Sequence, residues 1–308
     1  MELNSKIYVA GADTLPGKAI IKKLHKKGYK YILAQDGKEP DLTDMKEVSS
    51  FFAKNTPEYI FLTAGKSGGI SANQKYPAEL MIDNLFIECN IIHCAWKYGI
   101  KKLLYLASSC SYPKHCEQPM KEDYILTGSL EPTNEAYAVA KIAGIKLCQS
   151  YRQQYSANFI TGIPANIFGP GDDFSPEDSH VIGSLIRKMD EAKEQNHKKI
   201  EIWGTGSPRR DFIFSYDLAD ACIFLMNTYD HIDPINIGGN SDISISELAV
   251  LIKEVTEFKG DICYNTGKPD GMPVKILDST KLKALGWKPE HSFPSAIKET
   301  YRWFLEQK

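Results

Sequence analysis

The sequence predicts an α/β fold: a doubly wound parallel sheet with helices on both faces, followed by a smaller C-terminal α/β unit. Three observations carry this prediction. Short apolar runs alternate with segments of helical period over roughly the first 165 residues, as in βαβ units. A loop bounded by Gly11 and Gly17 joins the first apolar run to the first helical segment. Beyond Pro164 the alternation gives way to a stretch rich in Gly, Pro and Asp, residues 168–179.

The elements follow in order. Lys6–Ala10 reads as a buried strand that Gly11 ends. Ile20, Ile21 and Leu24 share one helical face after Gly17, and Gly28 stops that helix. Residues 31–35 form a strand, residues 44–55 a helix with Asp44 as N-cap, and residues 59–64 a strand. A long helix over about 77–98 leads to a strand at 102–107. A second long helix, about 134–155, leads to a strand at 158–163. Then come a helix at 181–194, a strand at 200–203, an extended stretch at 210–214, a helix at 216–229 and a strand at 235–238. A helix at 244–258, a strand near Ile262 and an amphipathic helix with Ile297, Tyr301 and Phe304 finish the chain. Residues 1–168 with 213–240, which return to the main sheet, form one domain. Residues 169–212 with 241–308 form the smaller one, closing over the sheet's rim.

Bulk properties narrow the partners. A chain of 308 residues makes one large or two small domains. A net charge of -2 provides no bulk positive field, so neither nucleic acid nor an acidic membrane is an expected partner. No apolar run is long enough to span a bilayer, and residues 1–6 carry no apolar leader. Seven scattered cysteines include no Cys-x-x-Cys and no Cys/His zinc spacing. That usage suits a reducing compartment and no metal site, so a cytoplasmic location is expected.

The loop Gly11-Ala12-Asp13-Thr14-Leu15-Pro16-Gly17 stands where a dinucleotide pyrophosphate rests on a helix N-terminus. The usual fingerprint has a further glycine where Thr14 stands, and Asp13 adds negative charge beside it. Either a dinucleotide site or a plain strand-to-helix turn fits this stretch. An acidic residue about 20 positions beyond such a loop accepts the ribose hydroxyls of NAD and repels the 2'-phosphate of NADP. Asp36 has that place, Lys38 beside it could meet a phosphate instead, and Asp41 lies where an adenine would pack. In parallel sheets the site lies beyond the carboxyl ends of the strands, a rim that takes in Gly11, Ala64 and Ser108.

Tyr137 and Lys141 are four apart in the second long helix, so phenol and ammonium share a face. A neighbouring cation favours the phenolate and lowers the tyrosine pKa from about 10. Ser108, at the end of a strand, supplies a third polar group at the rim.

Ser108, Tyr137 and Lys141 form the triad of the short-chain dehydrogenase/reductase type. Further stretches match in order along nearly the whole chain. They are Gly68-Gly69-Ile70-Ser71-Ala72-Asn73, Ser108-Ser109-Cys110-Ser111-Tyr112-Pro113-Lys114 and Glu131-Pro132-Thr133-Asn134-Glu135-Ala136-Tyr137 through Gly144. Ser179-His180-Val181-Ile182, Trp203-Gly204-Thr205-Gly206 and Lys268-Pro269-Asp270-Gly271 complete the set. On these residues the chain resembles the extended branch of that superfamily, and within it the GDP-L-fucose synthase family, the GDP-4-keto-6-deoxymannose 3,5-epimerase/4-reductases.

The resemblance implies a Rossmann-type dinucleotide-binding domain and a smaller nucleotide-sugar domain. It implies Cys110 and His180 as the base and acid that invert C3 and C5 beside the keto group. Tyr137 would then protonate the developing alkoxide at C4, with Ser108 hydrogen-bonding it and Lys141 holding the cofactor ribose. NADPH contacts are implied at Gly11, Asp13, Thr14, Leu15, Gly17, Asp36, Asp41, Ala64, Leu106, Ala107, Lys141, Pro164, Asn166, Ile167 and His180. Arg210 matches the arginine on the substrate diphosphate, with Lys188, Trp203, Asp270 and Lys275 as further substrate contacts. The two long helices imply a homodimer.

The chain departs from the family at the cofactor. The family loop reads Gly-x-x-Gly-x-x-Gly, with an arginine where Asp13 stands and another at the end of the second strand, both on the 2'-phosphate. Here Gln35 and Gly37 flank Asp36, and neither is basic. NADPH follows from the resemblance, NADH is possible because those arginines are absent, and loss of the reductive half is open. The alternatives are a reductase or epimerase on another nucleotide-linked 4-keto sugar such as a heptose, and a cofactor-poor binding protein of the same fold.

Overall fold

The structure is a computed structural model that describes residues 1–308 except Asp36, Glu177, Asp178 and Pro269, and except the side chain of Ile70. Its centre is a parallel sheet of six strands among the described residues. These are β1 (Lys6–Ala10), β2 (Tyr31–Leu33), β3 (Tyr59–Leu62), β4 (Lys102–Leu106), β5 (Phe159–Pro164) and β10 (Ile235–Ile237), in the order β10-β5-β4-β3-β1-β2. The order reverses between β1 and β3, so the crevice beyond their carboxyl ends is the ligand position of an open α/β sheet. Every residue of β4 and β5 is buried, as in a sheet covered on both faces.

Helices α1 (Leu15–Lys26), α2 (Met45–Asn55), α4 (Pro77–Lys97) and α5 (Glu135–Tyr155) cover this sheet with α7 (Ser215–Thr228). A short helix, α3 (Ile70–Lys75), precedes α4. Helix α1 begins before Gly17: the Thr14 hydroxyl accepts the Gly17 N–H at 3.1 Å, and Pro16 sits in the first turn, where its missing N–H costs nothing. Asp44 caps α2 through the Lys46 and Glu47 amides. Strand β2 stops at Leu33 because Ala34 turns to φ +61°.

A second apolar core lies under β6 (Asn166–Phe168), α6 (Val181–Glu194), β7 (Lys199–Trp203), β8 (Arg209–Arg210) and β9 (Phe212–Phe214). β11 (Ile243–Ser244), α8 (Ile245–Thr256), β12 (Asp261–Asn265), β13 (Val274–Lys275), α9 (Thr280–Ala284) and α10 (Phe293–Glu306) follow. Phe168, Phe212, Phe214, Leu248 and Ile297 pack together there. The 213–240 stretch returns to the main sheet only through β10, whereas β9 pairs with β6 outside it. Alternation explains this: Ile213 faces the first core, and its neighbours Phe212 and Phe214 face the second. Leu277, Leu282 and Trp287, expected in the smaller unit, join the first core. No helix among the described residues is long and apolar enough to cross a membrane.

Candidate active site

Helix α5 turns Tyr137 and Lys141 towards the end of β4. The Lys141 Nζ lies 5.8 Å from the centre of the Tyr137 ring and 5.3 Å from that of Tyr105. It donates to Glu88 Oε1 at 3.0 Å, and the Tyr105 hydroxyl donates to the same oxygen at 2.7 Å. Both ions are buried. Burial works against the Lys141 charge, but the Glu88 carboxylate outweighs it and holds the ammonium protonated. Burial pushes the Glu88 carboxyl above its ordinary range despite that partner.

Tyr137 departs from the expected lowered pKa. Burial pushes the phenol above 10, and the pulls of Lys141 and the Ser108 hydroxyl do not offset it. Burial is the main reason that Lys141 falls short, and the negative charges of Cys110 and, less, Glu88 add to it. Tyr137 therefore stands as a neutral phenol with a proton to give.

Ser108 caps the turn after β4, its Oγ accepting the Cys110 N–H at 3.2 Å. Cys110 Sγ receives two donors: Asn134 Nδ2 at 3.2 Å and Lys275 Nζ at 3.4 Å. Burial raises the thiol, yet Lys275, Ser108 and Asn134 together bring it below its ordinary value. His180 precedes α6 at its N-cap position. The residue is exposed. The surrounding protein pushes its pKa below 6.5; Asp173 opposes this and Lys275 adds to it. Ser108, Cys110, Tyr137 and Lys141 thus meet at one rim, and Lys275 links Cys110 to His180.

The glycine loop brings β1, β3 and α1 into close contact. A Cβ on Gly11 would lie 2.5 Å from Ala64 N, and one on Gly17 would lie 2.0 Å from Gly11 O, so both glycines are required for β1, β3 and α1 to meet. Gly11 also has φ +89°. The Ala64 amide donates to Ala10 O at 2.8 Å, which fixes the far wall. Leu15 and Lys18 of α1 face Gly171, so the 169–172 loop borders the same cleft. Leu106 ends β4 and Ala107 follows it, Pro164 ends β5, and Asn166 and Ile167 lie in β6. The Asn166 amide side chain is engaged by Asp211 O at 3.1 Å.

The loop's donors are partly taken. Glu39 Oε1 accepts the Gly11 N–H and the Tyr8 hydroxyl, each at 2.8 Å. Burial lifts the Glu39 carboxyl above its ordinary range. Thr14 occupies the Gly17 N–H, and Pro16 has none. Asp13 is exposed. Asp41 accepts from the Thr43 amide and hydroxyl, so it orders the turn before α2. Asp36 lies outside the described residues.

Arg210 and Asp270 adjoin: burial lowers the guanidinium pKa and Asp270 opposes that. Arg210 Nη1 donates to Met272 O at 2.7 Å, and Asp270 accepts the Thr205 N–H at 2.6 Å. β13 pairs with β8, setting Lys275 opposite Arg210. Lys188 and Trp203 line a different pocket with Glu191, His197 and Glu201. Trp203 is 62% exposed, with the Lys268 ammonium 5.0 Å from the centre of its ring.

Sequence reasoning missed Glu39, Glu88 and Tyr105. Glu88 carried a signal, since Leu80, Asn84, Ile87, Glu88 and Ile91 share the core face of α4, and a carboxylate there needs a buried partner. Glu39 carried none, because it stands in an irregular segment between β2 and α2.

The NAD dependent epimerase/dehydratase family model matches residues 7–238. A putative GDP-L-fucose synthase 2 of Arabidopsis thaliana is 49% identical over 99% of this chain and 93% of that protein. The structure of a GDP-6-OMe-4-keto-L-xylo-heptose reductase from C. jejuni superposes with a TM-score of 0.93 at 35% identity, covering 100% of this chain and 99% of that one. A GDP-L-fucose synthetase of Naegleria fowleri bound to NADP gives 0.91 at 30% identity, covering 100% and 96%. The chain belongs to the NAD dependent epimerase/dehydratase family, in its GDP-L-fucose synthase branch.

Proposed function

We propose that the chain inverts the carbons flanking the keto group of a GDP-linked 4-keto-6-deoxy sugar and then reduces that group, giving GDP-L-fucose or a close relative. The observation that carries this reading is the meeting of Cys110, with its charged partner Lys275, and the Ser108–Tyr137 pair at one strand end. Hydrogens beside a carbonyl are acidic, so a sulfur base on one face and an imidazole on the other suit inversion. A bound nicotinamide dinucleotide supplies the hydride. Tyr137, a neutral phenol, gives its proton to the oxygen that forms at C4, and Ser108 hydrogen-bonds that oxygen. Lys141, fixed by Glu88, is set to hold the dinucleotide's ribose. Arg210 and Lys275, side by side, offer two cations to a diphosphate-linked sugar.

NADH is the donor we favour over NADPH. Asp13 and Glu39 put two carboxylates about the glycine loop, and a 2'-phosphate would meet more negative charge. The larger domain holds this cofactor and the smaller one the nucleotide sugar. A homodimer joined through α4 and α5 would cover Ile82, Phe86 and Trp96, which lie 44%, 47% and 36% exposed on α4. The seven free cysteines suit the cytoplasm. The likeness to the heptose reductase favours a GDP-linked 4-keto heptose as the second reading.

Incubation with GDP-4-keto-6-deoxymannose and either NADH or NADPH, followed by the absorbance of the reduced cofactor, tests the reading. Oxidation of NADH, faster than that of NADPH, is expected. No oxidation of either would sink it.

A further inference from the structure

Three separate parts of the chain converge on one sulfur. Cys110 comes from the turn after β4, Asn134 from the start of α5, and Lys275 from β13. Lys275 is held there by its strand. β13 pairs in parallel with β8, and the Asp211 N–H donates to Lys275 O at 3.2 Å. The Ile276 N–H donates to Gln118 Oε1 at 3.0 Å. Among the described residues, no carboxylate lies within ion-pair distance of Lys275, and its hydrogen bond goes to Cys110.

An ammonium with no carboxylate of its own, 3.4 Å from a thiol, stabilises the sulfur anion. The other titratable groups in this part of the site are the Tyr137 phenol on α5 and the His180 ring at the start of α6. Tyr137 is neutral and so does not oppose the anion. Asn134 donates a neutral hydrogen bond, which favours the charged over the uncharged sulfur. Lys275 disfavours a protonated His180 while Asp173 favours it, so Lys275 assists only the base of the pair.

We infer that Lys275 is the positioning residue that keeps Cys110 as a thiolate, and not solely a contact to the nucleotide sugar. This rests on the reading of Cys110 as the epimerisation base. The thiolate takes the proton from the carbon beside the keto group: the C–H bond breaks and an S–H bond forms. The electron pair moves onto the keto oxygen as an enolate. The protonated His180 ring, which Asp173 favours, then gives a proton to the opposite face and becomes neutral, and the carbonyl re-forms with that centre inverted. Cys110 returns its proton to solvent, His180 regains one, and Lys275 favours the anion again.

The test is the pH dependence of Cys110 alkylation by iodoacetamide in the full chain. It is read from the mass of the peptide that carries the half-buried Cys110, because the exposed Cys89 and Cys263 react as well. Wild type, Lys275→Met and Lys275→Arg are compared, with melting temperatures as the folding control. Lys275→Met should move the midpoint up by about one pH unit or more, slowing alkylation about tenfold at neutral pH. Lys275→Arg, which keeps the charge, should stay near wild type. A common midpoint for wild type and folded Lys275→Met would overturn the inference. So would a wild-type midpoint at or above the ordinary cysteine value of about 8.5, whether or not the variant folds. Solvent deuterium exchange at C3 and C5 is followed in parallel. An unmoved midpoint with intact exchange overturns the pairing and leaves the epimerase reading standing. A shifted midpoint without exchange supports the pairing and removes that reading.

Discussion

Lys141 and Glu88 form an ion pair inside the protein, Nζ to Oε1 at 3.0 Å, with Tyr105 donating to the same oxygen. The pair joins the face of α4 to the face of α5, directly behind Tyr137. It places the ammonium near the phenol, where its pull does not overcome burial.

Removing one partner of such a pair leaves a buried charge without compensation. Glu88→Gln should therefore cost about 3–5 kcal/mol in urea unfolding. A loss below about 1 kcal/mol would mean that solvent or another group already satisfies Lys141.

Tyr137→Phe keeps the ring and removes the proton donor. Reduction should fall by about 10²–10⁴-fold, while deuterium exchange at C3 and C5 continues. Equal loss of both activities would show that the phenol also serves the inversion step.

Asp13 stands where repulsion of a 2'-phosphate is expected. Asp13→Arg should move the ratio of kcat/KM for NADPH over NADH upward by about tenfold, as expected when a charge-assisted contact replaces repulsion. An unchanged ratio would place the phosphate elsewhere.

Asp172 gives a pH-dependent stability. Burial in the loop beyond β6 pushes its carboxyl up to about 7 from 3.8, and its Oδ2 lacks a partner among the described residues. A folded pKa above the unfolded one means that the folded chain binds the proton more tightly. Deprotonation then favours unfolding, so this contribution falls as pH rises from about 4 to about 7. Asp172→Asn keeps an oxygen for the Asp173 N–H and removes the charge. It should gain up to about 4 kcal/mol over wild type near pH 8, and little near pH 4. Equal gains at both pH values would contradict the assignment.

Much of the fold was legible because the main sheet is built of local signals. Residues 6–10, 102–107 and 158–163 are apolar runs that any buried parallel strand needs, and Asp44 is a cap that sequence alone identifies. The β9 segment was harder, since Phe212, Ile213 and Phe214 divide between two cores and its partner β6 is far away in sequence. In the site, the Tyr137–Lys141 spacing predicted a shared face, which the helix provides. The state of Tyr137 was not legible, because it depends first on burial, which only the folded site sets. Likewise Lys275 reads only as a substrate contact implied by the resemblance until β13 brings it to Cys110.

The central claim is that one rim performs inversion and then reduction on the same sugar. It is tested most directly by running the reaction on GDP-4-keto-6-deoxymannose with reduced cofactor in D₂O and examining the product by NMR. The account predicts an L-configured 6-deoxy sugar carrying solvent deuterium at both C3 and C5 and hydrogen from the cofactor at C4. A product reduced at C4 with its original configuration and no deuterium at either carbon would contradict it.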